Sequence, residues 1–421
     1  MFRALTFTSI ERAPAWHTWL VAAGLALGPA STQGLARFAY GLVLPGMRDD
    51  LGWSFALAGT LSTANALGYL LGALLAAPVA ARVGGQRAFI GGLGLTALSL
   101  LLSAATLEFN VLLLLRAACG VTSAVAFIAG AALAARASSS QSASILAIYF
   151  GGAGLGIVAS SLVVPPLVDL AWPHAWRLAW LALGLVAAAG LPAAAIAACR
   201  VPSSVPVSGG GTARWSPHTL APTVGAFALF GAGYIIYITF IVAQLRTESV
   251  APDVVSNFWA VLGAAACASA FGWGPLLGRV PDGRGPALVL AVVVLGAALP
   301  FVAPGVLASF ASAVVFGGAF MAVPTAVSAL VKRELAPPAW TPAISMMTVV
   351  FALGQIAGPI AGGVLADGSG GVRAALGLAV GLLAGAMLIA AAQRGRPAYG
   401  SSVQTSLRPA PVAEVCTRAQ P

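Results

Sequence analysis

Residues 110–135 read NVLLLLRAACGVTSAVAFIAGAALAA, a run with a single charge, Arg116, and no proline. It is longer than the roughly 20 apolar residues that carry a helix across a bilayer. Working outward between charges, glycines and prolines, comparable spans are expected near 17–44, 54–80, 88–106, 143–168 and 176–198, and again near 218–245, 254–278, 286–303, 305–331, 341–366 and 372–393. The expected fold is an all-α integral membrane protein with twelve transmembrane helices in two six-helix bundles. Composition agrees: of 421 residues 59% are hydrophobic and 8% charged, against about 25% charged in soluble domains. A water-soluble globule is excluded, and the spans leave no room for a soluble catalytic domain. The only lysine, Lys332, lies in Val331-Lys332-Arg333-Glu334 without a glycine lead-in, so no nucleotide-binding phosphate loop is present.

The chain divides into an amino-terminal segment 1–16, a first bundle 17–199, a linker 200–217 rich in Pro, Ser and Gly, a second bundle 218–393 and a tail 394–421. Arg3 and Arg12 before an apolar run resemble a signal peptide, but the apolar character continues past Gly28-Pro29-Ala30, so the run reads as the first span. Counting Arg and Lys by side places fifteen on the side of the termini and even-numbered loops and four, Arg48, Arg177, Arg246 and Arg373, on the other. Both termini and the linker are therefore expected in the cytoplasm. The same topology accounts for the net charge of +10 without nucleic acid. Cys119, Cys199, Cys267 and Cys416 are far apart and suggest neither a disulfide framework nor a metal site.

An internal repeat is visible at an offset of 197 residues. Pro78, Arg82, Val83 and Arg87 fall on Pro275, Arg279, Val280 and Arg284, Tyr40 falls on Tyr237, and Arg37 falls on Tyr234. Six spans is an even number, so the second bundle is expected to enter the membrane in the same orientation, as a parallel pseudo-repeat. Chance identity in an Ala-, Gly- and Arg-rich chain is the competing explanation.

Two six-span halves, a linker and a charged loop after the second span resemble the major facilitator superfamily over residues 17–393. The loop Ala77-Pro78-Val79-Ala80-Ala81-Arg82-Val83-Gly84-Gly85-Gln86-Arg87 is similar to that family's G-x-L-A-D-R-x-G-R-R pattern, with Ala81 in place of the aspartate. Arg116 and Gly120 resemble the R-x-x-x-G motif of the fourth span. Gly34 to Gly41, Tyr149 to Gly156 and Gly233 to Phe240 look more narrowly like the YbfB/YjiJ-type bacterial branch. The resemblance implies a secondary transporter working by alternating access, with the first and fourth spans along a central cavity. It implies gating by Arg82, Gly84 and Arg87 and their counterparts Arg279 and Arg284, although Ala81 removes the usual carboxylate from that lock.

All acids fall at span ends, with Asp367 the nearest to an exception, and His17, His174 and His218 do likewise. No mid-membrane proton carrier or intramembrane catalytic pair is expected, which argues against an enzyme. Two charges lie inside spans, Arg37 and Arg116. An arginine there costs about 2.5 kcal/mol or more unless paired or hydrated. Either they bind an anionic solute or they snorkel and brace helix packing. Asn65, Tyr234, Tyr237 and Gln355 are the polar residues placed to hydrogen-bond a solute or, alternatively, a neighbouring helix. Glycines spaced by four on the second, fifth and eleventh spans (Gly68, Gly72; Gly152, Gly156; Gly354, Gly358, Gly362) fit sliding contacts between halves or, nearly as well, static helix packing, and Gly377, Gly381 and Gly385 repeat the spacing on the twelfth.

The reading is a monomeric bacterial inner-membrane transporter of a small organic solute, an organic anion or an amphipathic drug-like compound for efflux, with protons as the candidate coupling ion and no cofactor or metal. A non-transporting membrane sensor is the rival of another class.

Overall fold

A chain of this hydropathy must satisfy its backbone polar groups internally, which an α-helix does within one segment. The computed structural model describes residues 15–138, 141–202, 216–277, 279–280, 282–302 and 305–394, and no strand occurs among them. In order they form α1 (Ala15–Pro29), a π-helical stretch (Ala30–Phe38), α2 (Tyr40–Leu51), α3 (Phe55–Val83), α4 (Gly85–Ser103), α5 (Phe109–Arg136), α6 (Ser142–Val163) and α7 (Pro165–Val168). There follow α8 (Trp176–Cys199), a 3₁₀ turn (Pro217–Leu220), α9 (Ala221–Thr247), α10 (Pro252–Leu277), α11 (Arg284–Val302), α12 (Val306–Phe320), α13 (Val323–Glu334), α14 (Pro337–Asp367) and α15 (Gly371–Ala391). Arg3, Arg12, Cys416 and most of the expected linker and tail lie outside the described residues.

Among the described residues eleven helices are long and apolar enough to cross a membrane, α6 running on into α7 and α12 into α13. They coincide with eleven of the expected spans to within a few residues. The expected span 17–44 instead falls on α1, the π stretch and α2, none of which is long enough alone. Here hydrogen bonding slips from four- to five-residue spacing, as where the Ala39 N–H reaches the Gly34 carbonyl at 3.0 Å.

Helices α1 to α8 pack among themselves, chiefly through α3–α5, α4–α5 and α4–α8, and α9 to α15 do the same through α9–α15, α9–α14 and α11–α12. The two groups meet along α3–α14, α6–α10 and α2–α9. The ends of the molecule are named here by a residue on each: the Asp367 end and the Arg82 end.

Glycine faces explain how closely these helices approach, by static packing rather than at sliding contacts between halves. A Cβ on Gly68 would stand 1.9 Å from the Ala117 carbonyl of α5, on Gly152 2.0 Å from that of Ala26 in α1, and on Gly354 2.1 Å from that of Ala228 in α9. These fourfold-spaced faces therefore lock helices within each group. The seams between groups use other glycines: Gly59 against the Pro359 carbonyl, Gly363 against that of Phe55, and Gly154 against Gly263 and Cys267. Spacing by four fixes that residues share a helix face, not which neighbour that face meets. Gly84, between α3 and α4, has φ +89°, and a Cβ there would meet nothing within 4 Å, so its requirement is the backbone turn itself.

Gly68→Ala is expected to destabilise the protein by about 1–3 kcal/mol through overpacking. Gly377→Ala, where a Cβ meets nothing within 4 Å, should leave stability unchanged or slightly raised. Melting of both variants in detergent checks this pair of outcomes.

Candidate functional site

The π stretch is buried along its whole length and carries Gln33 and Arg37 toward the seam. Arg37 is 7% exposed, and its Nη2 donates to Oε1 of Gln355 on α14, joining the two groups of helices. A guanidinium can only donate, so the carboxamide oxygen of Gln355 must face it and the amide nitrogen must point away. That nitrogen donates to the Tyr234 hydroxyl on α9 at 2.6 Å. Tyr234 thus accepts, and its own proton is left to give. The Arg37 guanidinium carbon also stands 4.8 Å from the ring centroid of Tyr69 on α3, a cation–π contact. Arg37 and Tyr234, which correspond at the 197-residue offset, therefore converge on Gln355.

Arg116 is placed differently. Its Nη1 donates to the Ala36 carbonyl in the π stretch at 2.7 Å, and its guanidinium carbon lies 5.2 Å from the rings of both Tyr40 and Trp180. Two aromatic faces and a carbonyl enclose this cation inside the first group of helices, with its Nε facing no acceptor. Asn65 donates to the Arg116 carbonyl at 3.2 Å, tying α3 to α5. Tyr237 hydrogen-bonds Ser312 at 2.5 Å, Ser312 donates to the Gly296 carbonyl at 2.6 Å, and the Tyr237 ring stacks on Phe316. Of the six expected site residues, three (Arg37, Gln355, Tyr234) meet at the seam, and three (Arg116, Asn65, Tyr237) bind neighbours within their own group.

Sequence reasoning missed Gln33, Tyr69 and Phe351. Gln33 is 6% exposed and its Nε2 has no hydrogen-bond partner. It lies four residues before Arg37, a spacing that signals a shared face. Phe351, one turn before Gln355, stacks on Tyr234 with centroids 5.6 Å apart and planes 8° from parallel.

The groups are also joined at the Asp367 end. The first N–H groups of a helix have no partner within it, and Asp367 of α14 supplies acceptors for two of those of α3: Phe55 at 2.7 Å and Ala56 at 2.8 Å. Ser54 accepts the third, from Leu57 at 3.1 Å. Arg246 pairs with Asp169 at 2.7 Å and Trp259 donates to Ser160 at 3.2 Å, while Thr63 donates to the Ile356 carbonyl at 2.8 Å beside Gln355, about three turns from Asp367 along α14. Asp367 is exposed at a helix end, so it acts there as a latch acceptor rather than as a mid-membrane group. Within the first group, Asp50 receives His174 and Trp176. Partial burial pushes its carboxyl up, but bonds from the His174 ring, the Trp176 indole at 2.6 Å and the His174 backbone, with the His174 charge, together hold it below its ordinary value.

At the Arg82 end, Arg82, Arg87, Arg279 and Arg284 are all exposed. Arg333, which sequence reasoning did not single out, donates to the Val280 and Leu277 carbonyls at 2.7 and 3.3 Å and fastens the loop before α11 to α13.

Two helical groups meeting over a buried cation, with eleven crossings of suitable length, define a multi-pass membrane protein of the transporter type. Comparison with known proteins says which: the chain matches, over residues 30–391, the family model described as the uncharacterised MFS-type transporter YbfB, and it belongs to that family. Similar solved structures include a bacterial homologue of the human lysosomal transporter Spinster in an inward-facing, occupied conformation, with a TM-score of 0.71 at 17% identity, covering 90% of this chain and 96% of that one. The same homologue, inward-facing and unoccupied, gives 0.67 at 17% identity with the same coverage. A variant of the nucleoside transporter NupG gives 0.65 at 16% identity, covering 88% and 98%. No curated protein matches the chain.

Asp367→Asn removes one of the two carboxylate acceptors and orphans an α3 N–H. It should loosen the Asp367 end, seen as faster modification of Thr63→Cys by a thiol reagent in a background lacking the native cysteines. Acid acts elsewhere: because the Asp50 carboxyl is lowered, the stability it lends is present above its ordinary 3.8 and is lost as pH falls through the folded value. Asp50→Asn should flatten that acid limb in a melting-against-pH series.

Proposed function

We propose that this protein is a twelve-span secondary transporter of the bacterial inner membrane that moves a small organic anion by alternating access. In this reading the run from α1 to α2 is the twelfth crossing, residues 17–199 and 218–393 form two six-helix bundles related as a parallel pseudo-repeat, and the monomer has its Arg82 end in the cytoplasm. Convergence of the repeat-related Arg37 and Tyr234 on one glutamine supports the pseudo-repeat. The bonds joining the groups at the Asp367 end, which would face outward, support a state closed on that side, and the similarity to inward-facing structures agrees with it.

The observation that carries the anion is Arg37: a guanidinium buried at the seam, held by a neutral amide and an aromatic face, with no carboxylate bonded to it among the described residues. Burying a charge without an opposite charge is costly, and an anionic solute supplies one transiently. The Arg82, Gly84 and Arg87 loop with Arg279 and Arg284 limits helix movement at the cytoplasmic end. Its brace differs from the family pattern, with Ala81 lacking a carboxylate and Arg333 holding the second loop by carbonyls.

Arg37→Ala should weaken anion binding about ten- to a hundredfold, the worth of a charge-assisted hydrogen bond of roughly 1.5–3 kcal/mol, and Arg37→Lys should weaken it less, since lysine lacks the bidentate fork. Binding and melting measured on the same purified variants separate binding from bracing. Normal affinity in folded Arg37→Ala contradicts the anion site.

A further inference from the structure

The donors around Arg37 all point the same way chemically. The guanidinium donates, the Tyr234 hydroxyl has its proton free once it has accepted from Gln355, and the buried Gln33 amide nitrogen makes no well-formed hydrogen bond, having only the Tyr69 hydroxyl near it. Gln33 shares the π stretch with Arg37, and the Tyr69 hydroxyl beside it belongs to the ring that Arg37 overlies. A native protein rarely leaves a buried amide unpaired without a reason. A ligand with at least two acceptor oxygens on one carbon resolves it.

Tyr234 connects this polar cluster to an aromatic wall. Its ring lies near-parallel to Phe230 at 5.1 Å and to Phe351 at 5.6 Å, and Phe227 stacks on Phe351 at 4.7 Å. Phe227 and Phe230 are buried, whereas Phe351 is only half-buried and still has ring surface to cover. Charge sets the remaining limit. The other intramembrane cation, Arg116, stacks on Tyr40 and Trp180 and donates to the Ala36 carbonyl, all within the first group of helices, so its charge is held away from Gln355.

We propose that the solute is an aromatic monocarboxylate whose carboxylate is shared between Arg37 and the Gln33 amide and whose flat ring covers Phe351. This rests on the anion reading above and narrows it. A second carboxylate would be left without a cation in a buried site, and a puckered ring cannot lie flat on the wall. Gln33 becomes a substrate-contacting residue whose buried amide, poorly matched by the Tyr69 hydroxyl beside it, gains a full acceptor when the solute is bound.

The test uses the full-length protein in lipid nanodiscs, titrated with benzoate, cyclohexanecarboxylate, phthalate and succinate. Benzoate should bind tightest, cyclohexanecarboxylate about fivefold more weakly, and phthalate and succinate at least tenfold more weakly. Gln33→Met should weaken benzoate about tenfold while the ligand-free protein melts no lower than the parent. Phe351→Leu should bring benzoate and cyclohexanecarboxylate together. Equal or tighter binding of phthalate or succinate, or a Gln33→Met variant that binds benzoate normally or melts lower, overturns the proposal. If succinate binds and Arg37→Ala abolishes it, the anion reading survives and only the aromatic monocarboxylate falls. If none of the four acids binds, both fall.

Discussion

A guanidinium does not give up its proton inside a protein, so an arginine in the membrane core has to be satisfied where it stands. Arg37 and Arg116 meet that constraint in opposite ways. Arg116 is enclosed by two aromatic faces and a backbone carbonyl within one group of helices. Among the described residues Arg37 is held by the oxygen of a neutral amide from the other group and by the ring of Tyr69. The bond from Arg37 to Gln355, one of those that tie the two groups together, is therefore one that an incoming carboxylate can replace with a stronger one.

The rest of the architecture follows from placing that cation at a seam. The π stretch turns Gln33 and Arg37 onto buried faces, and close glycine contacts such as Gly34 against Gly156 hold it against α6. Glycines within each group make two bodies that pack tightly, while a different set, among them Gly41, Gly59, Gly154 and Gly363, lets those bodies touch. At the Asp367 end the joining bonds include a carboxylate on a helix terminus and an exposed ion pair beside the buried Trp259–Ser160 bond. The first two lie within reach of water and are each worth little, about 1 kcal/mol or less for an exposed pair, which suits a closure that has to open.

Much of this is legible in the sequence. Hydropathy places a crossing because its cause, burial of twenty-odd apolar residues, is local, and eleven expected spans reappear as helices. The first span reads as one continuous helix, but the slip to π bonding at Ala30–Phe38 leaves no mark in apolarity. Arg37, Tyr234 and Gln355 can be named from charge, polarity and the 197-residue offset. That Arg116 turns away from the seam cannot, because the direction of a side chain depends on helix rotation against Tyr40 and Trp180, residues far away in the chain. The choice between sliding and static packing at the glycine faces turns on helix rotation in the same way, and the contacts fall on static packing. Gln33 looks like one more small polar residue in a Ser-Thr-Gln run, and the grip of Asp367 on α3 spans some 312 positions, beyond anything periodicity reports.

The central claim is that an anion at Arg37 releases one arrangement of the two groups in favour of another. The direct measurement is the distance between spin labels at Glu108→Cys, before α5, and Val306→Cys, opening α12, exposed positions at the Asp367 end on opposite groups. In lipid nanodiscs, saturating benzoate should shift that distance distribution, and the shift should vanish when Arg37→Met is added. A distribution that ignores carboxylates, or one that shifts equally without the arginine, contradicts the account.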